Sequence, residues 1–151
     1  MITLVAIGKK HESWIVEGLE RYSKRLQGPW KSEWCLFPHS ASEGVMARQE
    51  ESERILAMLK PDDVVILLDE KGKLLDSPTL SSRIEEYFMS GRRIVFVIGG
   101  AYGVDDRLMQ RANLVWSLSP LVFPHQLVRI LLVEQLYRAQ SIAAGHPYHH
   151  V

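Results

Sequence analysis

At 151 residues and 46% hydrophobic, the chain is long enough for one compact α/β domain and too short for a separate substrate domain, so residues 1–151 read as a single domain. Lysine plus arginine number 18 and aspartate plus glutamate also 18, which excludes a strongly basic protein drawn to nucleic acid by its net field. Cys35 is the only cysteine, so an internal disulfide and a multi-cysteine zinc site are excluded, and a reducing compartment fits.

The opening run from Ile2 to Ile7 is apolar and β-branched and reads as a first strand. Lys9 and Lys10 follow the apolar run rather than precede it, and no cleavage site appears, so a strand rather than an export signal is expected. Elsewhere charge interrupts every apolar stretch well short of the roughly 20 residues a bilayer crossing needs. A soluble, cytoplasmic protein with no membrane partner is expected.

Further strands are predicted at 33–37, 64–69, 93–98 and 113–118, and helices at 12–26, 43–60, 78–90, 104–112 and 125–144. That alternation predicts an α/β fold, a mostly parallel sheet with helices on both faces. Ser77 is the expected cap of the third helix, with Pro78 in its first turn and Gly91 at its end. In the second helix, Arg48 to Arg54 is almost entirely charged or polar and reads as a solvated face. In the last helix, Leu127, Val128, Ile130, Leu131, Leu132, Val133, Leu136 and Tyr137 leave almost no polar stripe. A helix apolar all round needs cover on more than one side. The sheet supplies one cover and a second copy of the chain the other, so a homodimer is expected.

The strand 93–98 runs into Gly99-Gly100-Ala101-Tyr102-Gly103 and then a helix. Glycines there let the backbone turn sharply and let a ligand approach the main chain. The pattern is neither the dinucleotide fingerprint nor a phosphate loop, because the later glycine, acidic residue and Gly-Lys-Ser/Thr signals are missing. Two other strand ends have similar character, Leu67 to Lys73 and Trp116 to His125. Ligands of open α/β sheets bind outside the carboxyl ends of the strands, so three such ends side by side would form one pocket. In the second run Leu118, Leu121 and Phe123 could wrap an adenine ring.

Glu134 and Arg138 are spaced for a helical ion pair, which by itself is a modest surface bridge. The tail His146-Pro147-Tyr148-His149-His150-Val151 holds histidines, but a chain end gives a metal no fixed geometry, and no metal is expected. The sheet and glycine turn alone equally suit a flavodoxin-type nucleotide or flavin domain, or a dimeric binding module without catalysis.

Taken together, these segments resemble the ribosomal RNA large subunit methyltransferase H family, small members of the knotted SPOUT class. The likeness runs through Gly8-Lys9, Asp69 to Lys73, Ile98-Gly99-Gly100 with Gly103, Ser117-Leu118-Ser119, Phe123-Pro124-His125, Arg129, Glu134 to Ala139 and Pro147-Tyr148-His149. It implies a C-terminal trefoil knot, which no local signal predicts. It implies a homodimer using S-adenosyl-L-methionine to methylate N3 of a pseudouridine in helix 69 of 23S rRNA. Matching positions imply that Leu68, Gly99, Leu118, Ser119, Pro120, Leu121, Val122 and Phe123 hold the cofactor. His125, Arg129 and His150 match the RNA side, and Arg138, Tyr148 and His149 the catalytic side. Many relatives carry Arg or Lys at the place of His150, and histidine is only partly charged near neutral pH. The sulfonium donor is already activated, so alignment supplies most of the rate, while the imide nitrogen must lose a proton. His149 is the candidate base, Tyr148 positions the base, and Arg138 or Arg129 stabilises charge. With no net charge, recognition is expected by shape and composite surface on the assembled ribosome.

Overall fold

The computed structural model describes residues 1–150. Five strands, β1 (Ile2–Ile7), β2 (Ser32–Phe37), β3 (Val64–Leu74), β4 (Ile94–Ile98) and β5 (Leu114–Ser117), form one sheet in the order β2-β1-β4-β3-β5. All neighbours are parallel. The helices are α1 (Ser13–Ser23), α2 (Gly44–Met58), α3 (Ser77–Met89), α4 (Asp106–Arg111) and α5 (His125–Ala143). Strand side chains alternate between faces, so Ile2, Leu4, Phe96 and Ile66 meet α1, α3 and α5, while Val5, Val97 and Leu67 meet α2 and α4. Burial on both faces is why these strands read as unbroken apolar runs. No helix among the described residues is long and apolar enough to cross a membrane.

The expected elements are present, with four differences that have physical causes. β3 does not stop at 69: it runs to Leu74, pairing with β5 first at Ile66–Leu68 and again at Lys73–Leu74 after a register shift. Polar residues hid this extension, and Gly72 permits it, because a Cβ there would lie 2.6 Å from the Val115 carbonyl oxygen. Gly72→Ala should therefore lose about 1–3 kcal/mol of stability in urea denaturation, and an unchanged midpoint would show that the strands can part at no cost.

The cap of α3 is Asp76, whose carboxylate accepts from Thr79 N at 2.8 Å, and Ser77 instead donates its hydroxyl to Gln135 Oε1 at 2.8 Å. In α2 the polar stretch is not wholly solvated, since Glu51 is 3% and Ser52 1% exposed. Finally, one chain covers more of α5 than its composition suggests. It lies between α1 and α3 on the sheet, burying Leu132, Val133, Leu136 and Ala139, while Leu127, Val128, Ile130 and Leu131 stay half-buried. Gly18 lets α1 approach closely, for a Cβ there would come within 2.8 Å of Ile130 Cδ1.

Candidate active site

The carboxyl ends of β3, β4 and β5 meet in a cleft of about 690 Å³, as the strand-end argument requires. Of the residues implied to hold a cofactor, Leu68, Gly99, Leu118, Ser119, Leu121, Val122 and Phe123 line it, as does His125. Pro120 does not: it is exposed at the tip of the turn that brings Ser119 and Leu121 to the cleft. Local hydrogen bonds shape that turn, from Ser117 Oγ to the Ser119 carbonyl at 2.9 Å and from Leu121 N to Ser119 Oγ at 3.0 Å. Leu121 and Val122 are 69% and 78% exposed, an apolar wall with nothing against its outer side.

The opposite wall is the glycine loop after β4. Gly103 N donates to the Gly100 carbonyl at 3.0 Å, and Gly103 adopts φ +75°, which closes a tight turn. Gly99 was expected to give a ligand access to the main chain, but its missing Cβ has another cause here. A Cβ at Gly99 would come within 3.0 Å of Val104 Cγ1, so the glycine lets the loop fold back on itself.

Beneath the loop lies the polar face of α2 that the sequence pattern placed in solvent. Ser52 Oγ accepts from Asp105 N at 2.9 Å. Glu51 Oε1 would sit 2.6 Å from any Cβ at Gly100, and Glu51 Oε2 accepts from Ser40 N at 3.0 Å. Arg48, on the same side of the helix, reaches the cleft itself. Arg48, Glu51 and Ser52 escaped sequence reasoning because a helix face that supports a polar loop has the same composition as one facing water. His39 was missed as well; it stands 3.9 Å from Glu51 and 6.0 Å, ring to ring, from His125. Burial, then Arg129 and His39, hold the His125 pKa below the ordinary histidine value, so its ring meets the cleft uncharged near neutral pH.

Arg129 corrects an expectation. It is 0% exposed, with guanidinium contacts to the carbonyls of Ile7 at 2.9 Å, Gly8 at 3.2 Å and Lys10 at 3.0 Å, and to His11 Nδ1 at 3.0 Å. Both terminal nitrogens of the guanidinium are spent on the turn after β1, Nε is buried, and no surface remains for RNA.

The tail gathers on α5 instead of the cleft. Arg138 donates from Nε to Glu134 Oε1 at 3.0 Å and from NH1 to His149 Nδ1 at 3.1 Å, while Tyr148 OH donates to the same Glu134 oxygen at 3.0 Å. The helical ion pair is thus half-buried and organises the tail, a larger role than a surface bridge. Burial, then the Glu134 and Tyr22 hydrogen bonds, push the Tyr148 pKa well above the usual phenol value, so this group stays a donor. Arginine only donates, so His149 Nδ1 must accept and a neutral His149 carries its hydrogen on Nε2. In this arrangement His149 offers a donor rather than the base expected of it. His150 is exposed, and Arg138 lies roughly 20 Å along the helix axis from His125, so one chain does not bring tail and cleft together.

A family described as "Predicted SPOUT methyltransferase" matches residues 1–149. A protein of Thioalkalivibrio sulfidiphilus named ribosomal RNA large subunit methyltransferase H is 40% identical, over 98% of this chain and 97% of its own. One of the same name from a Synechococcus species is 43% identical, over 97% and 94%. The chain belongs to the ribosomal RNA large subunit methyltransferase H family of SPOUT methyltransferases. A solved structure, of a probable methylase family protein from Haemophilus influenzae Rd KW20, aligns with TM-score 0.58 and 16% identity over 99% of this chain and 70% of that one. At that identity the likeness is one of fold alone.

Proposed function

We propose that the chain methylates N3 of a pseudouridine in helix 69 of 23S rRNA, on the assembled ribosome in the cytoplasm, with S-adenosyl-L-methionine as donor and two copies sharing each site. That it is a methyltransferase of ribosomal RNA rests on the family and on relatives of nearly equal length that carry the name. The observation that carries the donor is the cleft, where an apolar wall of Leu118, Leu121 and Phe123 faces a folded glycine loop. A flat adenine suits such a slot.

The donor's sulfonium supplies an activated methyl group. The chain's part is to align and to exclude water. Leu121 and Val122, exposed in one chain, would be covered as the site fills. His149 Nε2–H is a donor that can stabilise negative charge on a carbonyl flanking the imide nitrogen. Arg138 fixes it by holding His149, and Tyr148, whose one hydroxyl hydrogen goes to Glu134, ties the tail to the same ion pair. Because the tail is remote from its own chain's cleft, the partner's cleft is the site this donor would serve, and the half-buried apolar residues of α5 with exposed Trp14 and Val16 of α1 would form the contact.

Ribosomes lacking the modification, incubated with the chain and labelled donor, should gain label on the helix 69 fragment, with mass spectrometry placing the methyl on the pseudouridine ring. Label on another rRNA segment, or none above a donor-only control, would overturn the substrate assignment.

A further inference from the structure

We infer that Arg48 receives the carboxylate at the amino-acid end of the methyl donor, an assignment that rests on the reading of the cleft as the S-adenosylmethionine site. Arg48 projects from α2 into the cleft and is half-buried. Its Nε is shielded from solvent yet has no hydrogen-bond partner, and no carboxylate among the described residues pairs with it. Elsewhere the half-buried arginines next to acids are engaged, Arg93 with Asp63 at 2.6 Å and Arg138 with Glu134 at 2.5 Å. A sequestered donor without an acceptor is costly, and the cost is removed when an anion arrives.

The donor has two unlike ends, a flat apolar base and a zwitterionic amino acid. The cleft has two unlike sides to match. Leu118, Leu121 and Phe123 come from the loop after β5, and Arg48 comes from α2 on the other sheet face, behind the glycine loop. Other cleft cations are poorer candidates for the carboxylate. Lys71 is exposed to solvent, and burial keeps the His125 ring uncharged. A guanidinium fork also matches a carboxylate bidentately, which an ammonium does not. An RNA phosphate would fit the same fork, but a half-buried position behind a loop favours a small ligand over a backbone that must approach from open solvent.

S-adenosylhomocysteine and 5′-methylthioadenosine separate the possibilities, because the second lacks the amino-acid end. In calorimetry, Arg48→Met should weaken S-adenosylhomocysteine about 10- to 100-fold and leave 5′-methylthioadenosine unchanged, with Arg48→Lys in between. Matching melting curves for the variants and the parent exclude a folding effect. Equal weakening of both ligands would mean that Arg48 merely shapes the pocket, and the assignment falls. It also falls if S-adenosylhomocysteine binds normally while ribosome binding loses salt dependence, since Arg48 then meets phosphate. If the parent binds neither ligand, the donor reading itself is wrong.

Discussion

Arg129→Met is expected to destabilise the protein by about 3 kcal/mol or more, because it leaves buried carbonyls of the turn after β1 without donors. The carbonyls of Ile7, Gly8 and Lys10 converge on one guanidinium, and each orphaned group costs on the order of 1–3 kcal/mol. Removing the buried charge returns part of that, since desolvation already depresses the Arg129 pKa. Gly8 is built into the same arrangement: it adopts φ +112°, and a Cβ would lie 3.0 Å from the Arg129 guanidinium. Arg129→Lys should recover only a fraction, since one ammonium cannot reproduce the fork. The variant should also release its neighbours. The pKa values of His11 and His125, both held down partly by Arg129, should rise toward the ordinary histidine value in the methionine variant. Urea denaturation and histidine titration by NMR check these outcomes. An unchanged midpoint, with a ribosome affinity whose salt slope has dropped by about one, would return Arg129 to the RNA side.

What the sequence disclosed depended on whether a residue's environment leaves a periodic mark. Strands covered on both faces announce themselves as apolar runs, which is why Ile2–Ile7 and Ile94–Ile98 were legible to the residue or nearly so. The cleft followed from topology, because parallel strands of an α/β sheet put their carboxyl ends at one edge whatever the side chains. Burial of polar groups by other polar groups leaves no such mark. Glu51 and Ser52 support a glycine loop, and Arg129 fills the space under a turn, yet each reads as a surface residue until its partners are seen. The length of β3 was concealed for a related reason: Asp69 to Lys73 is a polar strand end, and its pairing with β5 depends on one missing Cβ at Gly72. Composition also overstated what a partner must cover on α5, because α1 and α3 close on it from both sides.

Deleting residues 147 to 151 should abolish methylation of ribosomes while leaving the fold and donor binding intact. The tail adds little to the core, since Pro147 and His150 are exposed and Tyr148 and His149 rest on Glu134 and Arg138 at the surface of α5. None of the described tail residues lines the cleft, so the donor should bind the shortened chain with unchanged affinity in calorimetry. The polar donor that would face the reacting ring is removed, so the loss should fall on kcat rather than on donor KM. A second chain, Gly99→Val, is deficient in the opposite way: its added side chain would collide with Val104 and Gly103 and distort the wall of the cleft. Each variant alone should be inactive. When the two are unfolded together and refolded, some dimers pair an intact tail with an intact cleft on the opposite chain. If the tail serves its partner, those mixed dimers regain one working site and activity returns to a fraction of the parental value. If tail and cleft of the same chain cooperate, every site in the mixture lacks one half and the activity stays at background, which would rule out the shared site.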